Sequence, residues 1–270
     1  MSGPRPYLLA SSTWETVRQT RYDVAILPWG ATEAHNRHLP YATDTIQVDA
    51  IAAEAARLAW QADARVLVLP AVPFGVQTTQ RDIPFCLNLN PSTQQAILVD
   101  LLETLEQHGI RKLVILNGHG GNDFKQIIRE IQPRTPVVLV QVHWYAVVDP
   151  TPFFDEPGDH AGELETSLMQ VVAPSLVGPL ETAGDGAARP SRLAAVREGW
   201  AWLPRRWTEM TRDTGVGDPR AATAAKGARY FAAVSAKIAG FLVELAGADP
   251  NDLYDRSHDM LGQTNRPGLR

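Results

Sequence analysis

The sequence predicts an α/β protein with a mainly parallel sheet flanked by helices, built as a single domain over residues 1–270. Two observations predict this fold. Four short runs are almost continuously apolar, and segments of helical composition separate them. Continuous apolar runs are typical of strands that are buried on both faces. Alternation of such strands with helices favours a parallel sheet.

The predicted strands are rich in β-branched residues. They are Val24–Trp29, Arg65–Leu69, Leu113–Leu116 and Val137–Val142. In open parallel sheets, ligands bind in the crevice beyond the carboxyl ends of the strands. The residues that directly follow each predicted strand are therefore the candidates for a functional site.

Residue composition and helix-ending residues predict five helical segments. They are Thr45–Trp60, Ser92–His108, Asn122–Ile131, Ala161–Val172 and Ala221–Leu245. The first is rich in alanine and has Asp44 at its acidic start, and the second ends at Gly109, a suitable residue just past a helix. The third and fourth end before Pro133 and Pro174, which cannot continue a helix.

Composition narrows the classes of function. With 270 residues, a hydrophobic share of 44%, a charged share of 20% and a net charge of −5, the chain is typical of a globular protein. The lone Cys86 has no partner for an internal disulfide, and residues 1–7 lack the apolar core of a signal peptide. We expect a cytoplasmic protein that neither spans a membrane nor binds nucleic acid.

Chemistry-bearing side chains follow the first predicted strand. Glu33 and His35 lie two residues apart, so in an extended loop they point the same way. Asp44 opens the next helix, where a carboxylate also suits the positive helix end. Carboxylates mixed with imidazoles suit zinc, manganese or iron. The segment predicts either a metal site or a loop held together by hydrogen bonds.

The third predicted strand ends in the glycine-rich turn Asn117–Asn122, with His119 at its centre. Such a turn exposes backbone N–H groups and is one way to bind phosphate, but the lysine and spacing of a phosphate-binding loop are missing. Glycines also let the backbone fold tightly around a ligating histidine. We therefore favour a ligand role for His119 over a structural one.

A third cluster, Asp159–Ser167, contains His160, Glu163 and Glu165 at a predicted helix start. His160 and Glu163 are three apart and share a face of an ideal helix, whereas Glu165 is rotated by about 200° from Glu163. Only one of the two glutamates is then expected in a site. The alternative is that these acidic residues merely stabilise the first helical turn.

Taken together, the three clusters resemble the creatininase (creatinine amidohydrolase) family. The matching motifs lie at Gly30–Asp44, Asn117–Asn122 and His160–Ser167, with a weaker match from Gly217-Asp218-Pro219 to Lys226-Gly227. They follow the family's order and span most of the chain. The resemblance implies a parallel α/β sheet with a site for two divalent ions, zinc, manganese or iron, on its carboxyl edge.

Carried over residue by residue, the resemblance assigns Glu33 and His119 to one ion, His35 and Glu165 to the other, and Asp44 to a bridge between them. Glu165 is chosen over Glu163 because the Glu-Thr-Ser triplet is the matching element. Creatininase itself has a ligating glutamate where this chain has Gly121, so Glu165 must supply that carboxylate.

In mechanistic terms, the resemblance assigns proton transfer to His160. The family implies a metal-dependent amidohydrolase that cleaves a C–N bond of a small amide, cyclic amide or formamide. The segment Thr78–Leu87 departs from the histidine and Phe-Pro-Gly-Thr of many relatives, which argues against creatinine itself. The family also implies a homo-oligomer, often a hexamer.

Two other functions stay open from the sequence. One is a catalytically inactive metal- or ligand-binding protein of the same fold, and the other is a phosphate- or nucleotide-binding protein that uses the glycine-rich turn. Four tryptophans could line a substrate pocket or serve as core and subunit-contact residues: Trp144, Trp200, Trp202 and Trp207.

Overall fold

The computed structural model describes residues 5–254, so the predicted domain limits at 1 and 270 lie outside it. The strands are β1 (Val24–Trp29), β2 (Val66–Val68), β3 (Lys112–Asn117) and β4 (Val138–His143). The helices are α1 (Trp14–Arg18), α2 (Thr43–Gln61), α3 (Pro91–Gln107), α4 (Lys125–Ile131), α5 (Glu163–Val172), α6 (Ala194–Arg197), α7 (Trp207–Met210) and α8 (Ala224–Gly247).

These strands form one parallel sheet in the order β2-β1-β3-β4. Central strand β1 pairs with β2 through Val24 and Val66, and with β3 through Ala25 and Leu113. Helices cover both faces of the sheet. The predicted α/β fold with a parallel sheet flanked by helices is confirmed.

Alternate residues of the strands supply two separate cores. On one face Val24 and Ile26 pack with α2, α5 and α8. On the other face Ala25, Leu27 and Trp29 pack with α3 and α4. All six residues of β1 are buried, which explains why its sequence is continuously apolar rather than alternating.

Helix α8 packs against α2 and α5. A Cβ at Gly227 would lie 2.0 Å from the carbonyl oxygen of Ser167, so glycine is required for this close approach to α5. Within residues 5–254, α8 is the one helix long and apolar enough to cross a membrane by length and composition. Its Tyr230, Val234 and Leu242 are fully buried in the first core, as expected of a core helix.

Helix α8 begins at Ala224 and not at Ala221, because the Thr223 side chain caps the helix by accepting a hydrogen bond from the backbone N–H of Lys226. Two further helix starts, both next to the site, were also wrong, each for a local reason. Helix α4 begins at Lys125 and not at Asn122, because the Asn122 amide is used to hold the preceding turn against Asn117. Helix α5 begins at Glu163 and not at Ala161, because Ala161 has a left-handed φ of 52°. His160 therefore lies before the helix, in a bridge to Val216, and shares no helix face with Glu163.

Candidate metal centre and active site

Five side chains from four segments converge at the carboxyl edge of the sheet. The loop after β1 supplies Glu33 and His35, the first turn of α2 supplies Asp44, the turn after β3 supplies His119, and the first turn of α5 supplies Glu165. The structure thus brings together every residue that the resemblance assigned to metal. Their ligand atoms form two overlapping groups, and Glu33 and His35 form a third potential group with His160.

The first group, which we call the Glu33 half, consists of Glu33, Asp44 and His119. Nδ1 of His119 lies 3.0 Å from Oε1 of Glu33 and 3.0 Å from Oδ2 of Asp44. All three residues are buried, with exposed fractions of 6% or less. One imidazole nitrogen and two carboxylate oxygens therefore face a common point.

The second group, the Glu165 half, consists of His35, Asp44 and Glu165. Nε2 of His35 lies 3.0 Å from Oδ1 of Asp44 and 3.8 Å from Oε2 of Glu165. Asp44 thus offers a different oxygen to each half. A carboxylate with one oxygen in each half can bridge two cations.

The outer ring nitrogens of both histidines are held by backbone carbonyls. Nδ1 of His35 lies 3.1 Å from the carbonyl oxygen of Glu33, and Nε2 of His119 lies 3.1 Å from that of Val76. If each outer nitrogen carries the proton and donates it, the inner nitrogen is left with its lone pair facing the carboxylates. Such partners orient metal-ligating imidazoles in proteins.

Among the described residues, Oδ2 of Asp44 is buried and accepts no well-aligned hydrogen bond, although it faces His119. Burial raises the pKa of Asp44, but the charges of His35 and His119 hold it far below its usual range. Burial lowers the pKa of His35, and Asp44 more than reverses this, to about 10. The cluster stabilises positive charge at its centre, so a divalent cation fits these residues.

The two glutamates behave differently. Burial raises the pKa of Glu33, but the charges of His119 and His160 outweigh it and hold the pKa below the usual value. For Glu165, burial prevails over the charges of His35 and His160, and the pKa is raised. The carboxylate of the Glu33 half is the better stabilised anion.

His160, the predicted proton-transfer residue, lies beside both halves. Its Nε2 is 2.8 Å from the carbonyl oxygen of Ala34, and its Nδ1 is 3.7 Å from Oε1 of Glu33. The ring packs edge-on against Trp207, with ring centroids 4.8 Å apart. Nε2 is engaged, so Nδ1 is the ring nitrogen that faces the cluster.

The neighbouring Glu163 is fully buried but points elsewhere. Its carboxylate accepts hydrogen bonds from Nζ of Lys226 and from the backbone N–H of Glu156. Glu163 is therefore part of a structural contact between α5, α8 and the preceding loop. Of the two glutamates, only Glu165 reaches the cluster, as the resemblance implied.

At Gly121 the turn has no room for a side chain. A Cβ there would lie 2.4 Å from Nε2 of His119 and 2.4 Å from the carbonyl oxygen of Val76. A carboxylate at this position would require the His119 ring or the Val76 segment to move. Among the described residues, Glu165 of α5 is the further carboxylate that reaches the cluster.

A pocket of about 660 Å³ opens over the cluster and is lined by Glu33, Asp44, His119, His160 and Glu165. Its walls include aromatic side chains from two regions, Trp144 and Tyr145 after β4 and Trp202 and Trp207 near α7. Trp202 is 84% exposed, whereas Trp144 and Trp207 are buried. Trp200, also considered for the pocket, is 74% exposed and is not among its lining residues.

Sequence reasoning missed two glutamines behind the cluster. The side-chain amide of Gln80 donates a hydrogen bond to Oε2 of Glu33, and the amide nitrogen of Gln77 lies 3.1 Å from Nε2 of His119. Both glutamines are buried. No motif or spacing marks them, although Gln80 lies in the segment that departs from the family pattern.

Comparison with known proteins identifies the family of this chain. The creatininase (creatinine amidohydrolase) family model matches residues 10–242. A Mycobacterium tuberculosis protein named mycofactocin precursor peptide peptidase is 30% identical over 237 residues, covering 84% of this chain and 86% of that protein.

Solved structures show the same fold. A Bacteroides fragilis structure, described as a candidate creatinine amidohydrolase, has a TM-score of 0.88 and 45% identity and covers 94% of this chain and 100% of that one. A manganese form of creatininase has a TM-score of 0.72 at 23% identity and covers 90% of this chain and 99% of that one.

Proposed function

The chain belongs to the creatininase family, and we propose that it is a metal-dependent hydrolase that cleaves the C–N bond of a small amide, cyclic amide or formamide. The observation that carries this proposal is the pair of three-residue groups sharing Asp44 at the floor of an open pocket. An ordinary buried ion-pair network has no need of a cavity above it.

Two divalent ions, zinc, manganese or iron, held in the Glu33 half and the Glu165 half would supply hydroxide near neutral pH and polarise the substrate carbonyl. The protein's own side chains do the rest. With Nε2 engaged by the Ala34 carbonyl, His160 has Nδ1 available to carry a proton to the leaving nitrogen. Trp207 packs on the same ring and restricts its rotation.

A peptide bond is a second candidate substrate class. The pocket of about 660 Å³, with the exposed Trp202 at its wall, lies within the size range of ordinary ligand pockets and does not by itself favour either class. The M. tuberculosis relative is named as a peptide peptidase. A substrate panel for this protein should therefore contain short peptides as well as lactams, formamides and simple amides.

Metal analysis of protein purified without chelator tests the proposal. We expect about two ions per chain, a lower content in Glu33→Gln, and turnover of at least one amide class that chelator abolishes. Protein that binds neither zinc, manganese nor iron would contradict the proposal. Retained metal without turnover of any panel member would favour the inactive binding protein instead. Cytoplasmic location and assembly into a homo-oligomer stay predictions.

A further inference from the structure

Glu33 uses its two carboxylate oxygens for different purposes. Oε1 faces the cluster, 3.0 Å from Nδ1 of His119 and 3.7 Å from Nδ1 of His160. Oε2 points away from the cluster and accepts a hydrogen bond from the side-chain amide of Gln80. Gln80 is 2% exposed, so water does not compete for this contact. The amide therefore controls which oxygen is presented to a cation.

Cys86 contacts the oxygen of the Gln80 amide and supports its orientation. The Cys86 thiol lies 3.5 Å from Oε1 of Gln80 and can donate to it, while its sulfur accepts from the backbone N–H of Ala34 at 3.3 Å. With Oε1 turned to the thiol, Nε2 must turn to Glu33. A chain of contacts thus runs from the backbone of the Glu33 loop through sulfur and amide to the Glu33 carboxylate.

Backbone hydrogen bonds hold this assembly in place. The backbone N–H of Ile83 donates to the carbonyl oxygen of Gln80 at 3.0 Å, and the backbone N–H of Cys86 donates to the carbonyl oxygen of Ile83 at 3.3 Å. The N–H of Leu87 then donates to the carbonyl oxygen of Thr32 at 3.0 Å, which joins the segment to the Glu33 loop. The donor to Glu33 is therefore carried by a folded turn rather than by a free loop.

A neutral amide is well suited to this position. It satisfies a buried carboxylate oxygen without adding positive charge, so the full negative charge of Glu33 stays available to a cation. A lysine or arginine here would neutralise Glu33 and weaken its attraction for metal. Removing the amide would leave a buried oxygen unsatisfied and free to rotate toward the cluster.

We propose that Gln80, oriented by Cys86, is a positioning residue that presents a single oxygen of Glu33 to the metal of the Glu33 half. The inference rests on the proposed function. It explains how a segment that departs from the family pattern is compatible with the family's metal ligands. In this role Gln80 and Cys86 act through Glu33.

The test compares the full-length wild type with Gln80→Met, which keeps the length of the side chain and removes the donor. Cys86→Ala and Cys86→Ser form a second pair, since serine keeps a group that donates and accepts. Gln126→Met on the exposed side of α4 is the matched control. Each protein is titrated with Mn²⁺ by calorimetry, and the visible absorption spectrum is recorded with Co²⁺, which reports the ligand geometry.

We expect Gln80→Met to weaken one of the two Mn²⁺ affinities by about 10–100-fold, as supporting contacts to metal ligands do, and to change the Co²⁺ spectrum. Cys86→Ala should show a smaller loss of the same affinity that Cys86→Ser restores, and Gln126→Met should match the wild type. The cysteine pair decides the question if Gln80→Met does not fold.

Two failures are distinguishable. If the wild type binds none of Mn²⁺, Co²⁺, Zn²⁺ and Fe²⁺, the proposed function itself is wrong. If the wild type binds Mn²⁺ and Co²⁺ while Gln80→Met and Cys86→Ala keep its affinities and spectrum, only the positioning role is overturned. An equal loss of both affinities with a lowered melting temperature would also overturn it, because it would show a general structural role.

Discussion

The two halves of the cluster share Asp44 but differ in how their outer ligands are supported. In the Glu33 half, Glu33 is 2% exposed and is held by the side-chain amide of Gln80, while His119 is held by the Val76 carbonyl. In the Glu165 half, the Glu165 side chain is 17% exposed, and its Oε2 accepts from the backbone N–H of Ala161. The pKa is lowered at Glu33 and raised at Glu165, chiefly by burial in the latter.

This difference teaches that burial does not by itself decide how well a carboxylate is prepared as an anion, because the charges of His119 and His160 outweigh burial at Glu33, whereas burial prevails at Glu165. The Glu33 half is assembled before a cation arrives. The Glu165 half depends on the loop that precedes α5. We therefore expect the ion of the Glu33 half to bind more tightly and to be the last removed by chelator.

The largest expected effect comes from removing the ligand at the centre of the tighter half. His119→Ala should lower hydrolytic activity by at least about 1000-fold, because several kcal/mol of carbonyl and hydroxide stabilisation would depend on the ion that His119 is proposed to hold. Metal content should fall together with activity. His108→Ala, on an exposed residue after α3, is the control and should keep both. Unchanged metal content in His119→Ala would contradict the expectation that the Glu33 half holds the more tightly bound ion.

A smaller effect is expected in the looser half. Glu165→Gln should reduce the metal content by about one ion per chain and activity by about 100-fold, while the tighter affinity changes little. The matched control is Glu163→Gln, two residues away, which should keep the metal content but lower the melting temperature, because it breaks the buried contact with Lys226. Loss of both ions in Glu165→Gln would show that the two halves do not differ.

Removing the metal should make the free energy of unfolding fall as the pH rises into the alkaline range. In the metal-free protein the pKa of His35 is about 10, above the usual 6.5. The stabilisation from protonated His35 is complete below pH 6.5 and is lost as pH rises towards 10, at a cost on the order of a few kcal/mol. Thermal unfolding of chelator-treated protein across this range should show the fall, whereas metal-loaded protein should show little. A fall of equal size in both forms would contradict this expectation.

The smallest expected effect comes from relieving backbone strain at Phe85. It tests whether this strain affects metal binding. Phe85 has a left-handed φ of 60°, although its side chain is 82% exposed. Phe85→Gly should raise the free energy of unfolding by up to about 1 kcal/mol, since glycine adopts this conformation without a steric penalty. Phe85→Ala keeps the strain and should change it little. Denaturant unfolding and Mn²⁺ titration together test this, and altered Mn²⁺ affinity in Phe85→Gly would show that the strain contributes to metal support.

Much of the fold could be predicted because burial dictates composition. The limits of β1 were predicted correctly, since both of its faces are covered by helices. For the edge strand, the prediction Arg65–Leu69 was too long, because only Val66–Val68 pairs with β1. The start of α5 was missed because Ala161 adopts a left-handed conformation. A glycine at this position would have indicated such a conformation, but an alanine does not.

Within the site, the residues proposed as ligands were predictable because they occur in compact motifs at the ends of strands. The support behind them was not. Gln80 is 47 positions from Glu33 in sequence, and an amide donor can serve such a carboxylate from any loop that reaches it. Only the fold brings the two together, so no spacing rule could have found the contact.

Asp44 belongs to the first turn of α2, and the same helix inserts Val48 and Ile51 into the main core. Any cation held by Asp44 therefore fastens a core helix to the loops after β1 and β3. Metal binding would therefore add to the free energy of unfolding, by an amount that grows with the logarithm of the free ion concentration. The resistance of the protein to unfolding and proteolysis would then depend on the concentration of metal in its surroundings. A shortage of metal would lower the amount of folded protein as well as the fraction that is active.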